Sequence, residues 1–306
     1  MRWKTFIIFL TFIIILLLFV WMFFPYKVNN FEFNSGPSNF STPQQSIEDS
    51  QFYPRMRFPY RNISYKIDND CTLQKKNEME RAFKIMENKT ILSFYPVQSE
   101  EEISVHCSEK MKQANEYTFI AGEGGPTSII RELNFTVILK GQILLIRSIK
   151  CDFPNVPIHE LLHVLGFNHS HNENNIMYPT THCGQKIGED TISLINELYS
   201  YPNYADIIFL NASAHVHGRY LDLNFTVKND GLIPAGDFKV EVFADNKKIK
   251  EISLKAINVG YGRSIKITNI AFNSLSVKNF KLIAETNFPE LNKKNNEIIL
   301  RLKNQK

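Results

Sequence analysis

His159, Glu160, His163, Gly166 and His169 stand in the stretch HELLHVLGFNH, with the spacing H-E-x-x-H-x-x-G-x-x-H. In a helix of about 3.6 residues per turn, histidines four apart present their imidazoles on one face, where both can bind a single cation. Glu160 is beside them, poorly placed to join the ligand set but well placed to take a proton from a water in an open coordination position of zinc. Gly166 can adopt the backbone that ends the helix sharply and so return His169 as a third nitrogen ligand. Three neutral nitrogens leave the metal its full charge to acidify water and polarise a peptide carbonyl. His171, two residues beyond His169, is a rival third ligand. The remaining histidines have plainer readings: His106 and His182 as ordinary surface or core residues, and His215 and His217 as a solvated pair on one strand face, with metal binding there the lesser alternative.

The elements that must position this string are legible around it. Asn62 to Asp68 alternates as a strand, and Asp70 is expected to cap a helix whose Met79, Ala82, Phe83 and Met86 share one buried face. Strands are expected at Ile91 to Tyr95, Ile103 to Cys107, Phe135 to Leu139 and Ile143 to Ile146. The Gly-rich stretch Ala121 to Pro126 reads as a bend before an edge strand near Thr127 to Arg131, since it lacks the G-K-[ST] ending of a phosphate loop. After the histidines, Asp190 is expected to cap a last helix with Ile192, Ile195 and Leu198 or Tyr199 inside.

HELLHVLGFNHS followed by IMYP resembles the metzincin metalloproteases, and within them the matrixins. The resemblance implies an α+β catalytic domain of mixed sheet and three helices over residues 57–203, with one catalytic zinc on His159, His163 and His169 and with Glu160 as general base. It also implies that Met177 forms the Met-turn beneath the metal, and that an edge strand near Thr127 pairs with an extended peptide substrate. Two features of the family are not carried over. No cysteine precedes the domain to hold it latent, and the stretch from Tyr117 to Lys150 has no histidine for a second, structural zinc.

From residue 204 onward, alternating runs such as Leu221, Leu223, Phe225 and Val227, or Phe238, Val240, Val242 and Ala244, predict about seven strands in an immunoglobulin-like sandwich. The turn Lys228-Asn229-Asp230-Gly231 and the pair Asn295-Asn296 resemble CARDB domains of prokaryotic surface proteins, which implies a surface protein or glycan as partner.

At the other end, Phe6 to Phe24 is apolar except for Thr11, long enough to cross a hydrocarbon core of about 30 Å. With Arg2 and Lys4 before it, residues 1–26 read as a single-pass signal anchor that leaves the N-terminus cytoplasmic and the rest outside the cell membrane. A cleaved signal peptide is the rival, weakened by the lack of small residues after the run. Residues 27–56, rich in Asn, Ser, Pro and Gln, read as a stalk. Four cysteines without a C-x-x-C pair fit disulfides in an oxidising compartment. They allow three pairings; Cys151 with Cys183 and Cys71 with Cys107 are favoured. A net charge of +4 without a Lys/Arg block excludes a nucleic-acid surface.

The chain of 306 residues thus reads as a membrane-anchored zinc endopeptidase facing outward, acting on peptide or protein substrates. The alternative is an adhesion protein whose zinc only staples the fold. Closed four-ligand sites are usual for structural zinc, and three histidines leave a position open.

Overall fold

A computed structural model describes residues 13–15, 28–32, 50–110, 112–113, 119–273 and 277–302. The chain divides into two compact units, one built around residues 50–205 and the other around residues 206–302 with Val28–Glu32. Among the described residues no helix is long and apolar enough to cross a membrane. The expected anchor, Phe6 to Phe24, lies outside those residues except for a helical Ile13–Ile15.

In chain order, strand β1 (Val28–Glu32) comes first, within the stretch read as a stalk. Then follow β2 (Met56–Arg57), β3 (Asn62–Ile67), α1 (Leu73–Lys89), β4 (Ser93–Pro96) and β5 (Ile103–Cys107). A small hairpin of β6 (Lys112–Gln113) and β7 (Phe119–Ile120) leads into β8 (Gly122–Arg131) and β9 (Thr136–Leu145). Helices α2 (Asn155–Val164) and α3 (Glu189–Ser200) complete this unit.

The first unit holds a mixed sheet. Strands β4, β3, β5 and β9 run parallel, β2 pairs in parallel with the start of β9, and β8 pairs antiparallel along the whole of β9. One core joins Ile63, Ile103, Val105 and Ile143 of the sheet to Met79, Phe83 and Met86 of α1, Leu161 and Leu162 of α2, and Ile195 and Leu198 of α3. Phe83 is the hinge of that packing, stacked on Tyr65 at 4.1 Å and tilted against Phe94 at 4.8 Å.

Several expectations need correction. Helix α1 is capped by Thr72, whose hydroxyl accepts from the Lys75 N–H, and not by Asp70. The intervening Cys71 is locked to Cys107, so the helix starts only after that anchor. Helix α3 is entered at Gly188, which leaves Asp190 inside the first turn, where the helix dipole favours an acid. The two strands expected at Phe135 to Leu139 and Ile143 to Ile146 are one continuous β9. Gly141 lies within it, where a Cβ would come within 2.4 Å of Val164 on α2. The expected bend at Ala121 to Pro126 is likewise mostly strand, since β8 already begins at Gly122.

The second unit consists of β10 (Ile207–His217), β11 (Tyr220–Asn229), β12 (Phe238–Ala244), β13 (Lys247–Leu254), β14 (Gly262–Ala271), β15 (Asn279–Glu285) and β16 (Glu297–Leu302). All its pairings are antiparallel, in the order β13-β12-β15-β16-β1-β10-β11-β14. The alternating residues Leu221, Leu223, Phe225 and Val227 are buried, as are Phe238, Val240 and Val242. Phe272, at the end of β14, meets Phe280 of β15 edge-on at 5.7 Å, so the two halves of the sheet order pack against one another as a sandwich. The unforeseen member is β1. It links β16 to β10 and joins the two halves into one hydrogen-bonded run, where residues 28–32 were expected to be unstructured.

Candidate metal centre

Helix α2 carries His159, Glu160 and His163 into a buried setting, with the three side chains only 6–7 % exposed. It then stops. Gly166 sits at φ +95°, in the left-handed region, and its N–H returns to the His163 carbonyl while Phe167 N–H returns to Leu162. That reversal brings His169 round. The Nε2 of His163 lies 3.0 Å from the Nε2 of His159 and 3.2 Å from that of His169.

The other ring nitrogens decide what this contact means. His159 Nδ1 is 2.6 Å from the Ile176 carbonyl, and His163 Nδ1 is 2.8 Å from the Phe167 carbonyl. A carbonyl only accepts, so each Nδ1 carries the proton and each Nε2 offers a bare lone pair. Burial favours the neutral rings. It lowers all three histidines below their ordinary range, His163 to about 4, with the neighbouring imidazoles adding to the shift for His159 and His163. Lone pairs that face each other about 3 Å apart repel unless a cation lies between them. Three nitrogens bound tetrahedrally at about 2.0–2.1 Å from zinc would be about 3.3 Å apart, close to the separations found here. The donor set therefore fits zinc, with backbone carbonyls as the outer partners that fix the rings of His159 and His163.

Glu160 is held against β8. A Cβ on Gly122 would fall 2.8 Å from both Cγ and Oε1 of Glu160, and one on Gly124 would fall 2.4 Å from the Glu160 carbonyl oxygen. These glycines let the edge strand lie directly on the helix at the carboxylate. Burial, and then the negative charge of Glu123, push Glu160 up to about 8. A cation on the three imidazoles would act in the opposite sense and favour the carboxylate.

Met177 is buried, and its carbonyl accepts from Ser170 N–H at 2.8 Å, which ties the segment after His169 to the turn that also supplies the Ile176 carbonyl. The Tyr178 hydroxyl lies 3.5 Å from Glu173, away from the imidazoles. Cys151 bonds Cys183 and Cys71 bonds Cys107.

Among the described residues the three histidines are the one group of metal-capable side chains gathered closely enough to share an ion. His171 is exposed and outside it. His215 and His217 are 6.1 Å apart by ring centroid, with His217 3.3 Å from Asp222. His106 pairs with Asp68, and His182 with the Glu173 carbonyl.

Residues 57–200 match the Matrixin family, and residues 205–299 match the CARDB family. Residues 57–200 are a matrixin domain. The family is zinc-dependent, and the donor set fits zinc. No curated protein matches the chain. Among solved structures, the CARDB domain of the PF1109 protein from Pyrococcus furiosus, described in complex with di-metal ions, aligns at 14% identity and a TM-score of 0.26, over 31% of this chain and 84% of that one.

Sequence reasoning missed Arg57, which starts the matrixin domain and is wholly buried. Its guanidinium donates to the carbonyls of Leu198, Pro59 and Tyr201 and to Asn203, so it closes the C-terminal end of α3. The only sequence signal was an arginine between Met56 and Phe58.

Proposed function

We propose that the matrixin domain is an endopeptidase in which His159, His163 and His169 hold the catalytic zinc and Glu160 is the general base. When bound, zinc would supply the positive charge that acidifies a water and polarises the scissile carbonyl. Glu160 takes the water's proton and delivers it to the leaving amine, from a position fixed by its contact with Gly122. The outer edge of β8 binds the peptide in extended form, and Met177 packs under the imidazoles as the Met-turn. The observation that carries the reading is the set of three converging Nε2 atoms, with the Nδ1 atoms of His159 and His163 committed to carbonyls.

The reading extends to place and partners. Phe6 to Phe24 anchors the chain, the catalytic domain faces outward, and the CARDB domain binds a surface protein or glycan. Two disulfides suit an oxidising compartment. Digestion of casein by the purified chain, with and without a chelator, tests the activity: chelator-sensitive cleavage is expected, and a zinc-loaded chain that cuts nothing would leave the adhesion alternative. Retention in the membrane fraction after alkaline washing tests the anchor, and a soluble form beginning near residues 25–40 would overturn it.

A further inference from the structure

Strand β1 starts at Val28, and the apolar run before it ends at Phe24. The steps between those two residues reach at most about 14 Å even when fully extended. The headgroup layer outside a hydrocarbon core of about 30 Å is itself about 5–7 Å deep. β1 is hydrogen-bonded along its whole length to β10 and at its far end to β16, so the sandwich is not free to swing away on a long flexible stalk. With Phe6 to Phe24 across a bilayer, the end of the sandwich that carries Val28 is held at the headgroups.

The strand registers give the contents of that end. Val28 is opposite His217, which places there the turn Gly218–Arg219 and Tyr220, itself opposite Ala271 at the close of β14. Phe272 N–H bonds the Arg219 carbonyl, and its ring meets Phe280, which is opposite Ala244 at the close of β12. The turn from β12 to Lys247 of β13 therefore belongs to the same tip. Asp245 in that turn ties it to the start of β15 by accepting from the N–H groups of Lys278 and Asn279. Arg219, Lys247 and Lys278 are all exposed. Their neighbours are already engaged: Lys248 with Glu241 and Glu251, and Asp222 with Asn269 N–H and His217. Tyr220, 47% exposed, adds an amphipathic ring of the kind that suits a membrane interface.

We propose that this tip of the CARDB domain lies on the membrane and binds anionic lipid headgroups through Arg219, Lys247 and Lys278. Three cations at an anionic surface strengthen association on the order of a hundredfold. The proposal rests on the anchor reading, and the two are tested apart. The probe is the full chain with Trp3→Phe and Trp21→Phe, its only two tryptophans, and with either Tyr220→Trp at the tip or Tyr261→Trp at the opposite end. Tyr261 precedes Gly262, which is opposite Lys228, so the length of β11 separates the two positions by about 30 Å. In phosphatidylglycerol vesicles carrying a dansyl headgroup lipid, energy transfer from position 220 should be at least threefold that from position 261. The ratio should fall about twofold or more in phosphatidylcholine, and likewise with Arg219→Glu, Lys247→Glu and Lys278→Glu together. Equal transfer from both positions in phosphatidylglycerol, or a ratio that the change of lipid leaves untouched, would overturn the proposal, and the lipid comparison decides even where the triple variant folds poorly. Retention after alkaline washing reports the anchor independently. If the chain washes off, the anchor reading fails and the tip is decided by co-sedimentation with phosphatidylglycerol vesicles at low salt: binding that the triple variant loses supports it, and no binding, or binding that the variant keeps, refutes it.

Discussion

In the CARDB domain the buried carboxylates of Asp206 and Glu290 have a donor on every oxygen, whereas the buried imidazoles of the matrixin domain turn bare nitrogens toward each other. Asp206 accepts from Asn292 and from the Asn295 amide. Glu290 accepts from Ile207, Thr286 and Asn296. Each carboxylate oxygen is thereby met within the chain, and the network fixes the join between β10, β15 and β16, although among the described residues the Oδ1 atoms of Asn295 and Asn296 find no donor. His159 and His163 are fixed just as firmly from behind, by carbonyls, but their front atoms meet only the other imidazoles of the triad. Carboxylates whose oxygens are met within the chain hold a fold, and imidazoles anchored on one side and bare on the other are set to bind an ion.

The sharpest way to break this contrast is His163→Ala. It should abolish zinc retention and peptide cleavage while hydrogen exchange in β11 and β12 stays as it was. Retained stoichiometric zinc would mean that the ion is held elsewhere.

Next comes the carboxylate's seat. Gly122→Ala places a methyl 2.8 Å from Glu160 Cγ and Oε1, and it should reduce cleavage about a hundredfold or more with zinc still bound. Gly125→Ala meets no atom within 4 Å and should leave zinc content and melting unchanged. A Gly122→Ala chain with full activity would show that β8 does not set Glu160.

How far the sequence could be read follows the same division. The triad was legible because helical spacing plus one glycine fixes three histidines with little help from elsewhere, and the inner faces of α1, β11 and β12 followed from period alone. The glycines of the run Ala121 to Pro126 misled because a glycine that admits a helix looks the same in a sequence as one that turns a chain. Val28–Glu32 was unreadable as a strand, since what makes it one is two distant partners, β10 and β16. Arg57 was invisible because its acceptors are backbone carbonyls more than a hundred residues away.

A third effect is smaller and confined to one unit. The Cys151–Cys183 bond spans 32 residues that include the whole triad, and closing a loop of that size contributes about 3–4 kcal/mol on the chain-entropy account. Cys151→Ser with Cys183→Ser should lower the melting of the matrixin domain and weaken zinc retention. The CARDB domain, which has no cysteine, should melt unchanged. A loss shared equally by both domains would contradict this.

The smallest effect tests the carboxylate network. Burial, helped by the charge of Glu290, pushes Asp206 up to about 6 against its hydrogen bonds from Asn295 and Asn292, from an ordinary 3.8. A folded pKa above the unfolded one means stability that is full below about pH 4 and is lost as pH rises through about 6, on the order of 2–3 kcal/mol. Asp206→Asn should remove that slope from hydrogen exchange of the β10 and β11 amides between pH 4 and 6. An unchanged slope would show that another group sets it.

The most direct test of the central claim is Glu160→Ala, assayed for zinc by elemental analysis and for cleavage of casein. The account predicts a chain that keeps one zinc ion and its fold while cleavage drops by about a factor of 10² to 10⁴, the range expected when a general base is removed. Cleavage near the unsubstituted rate with zinc bound would contradict it.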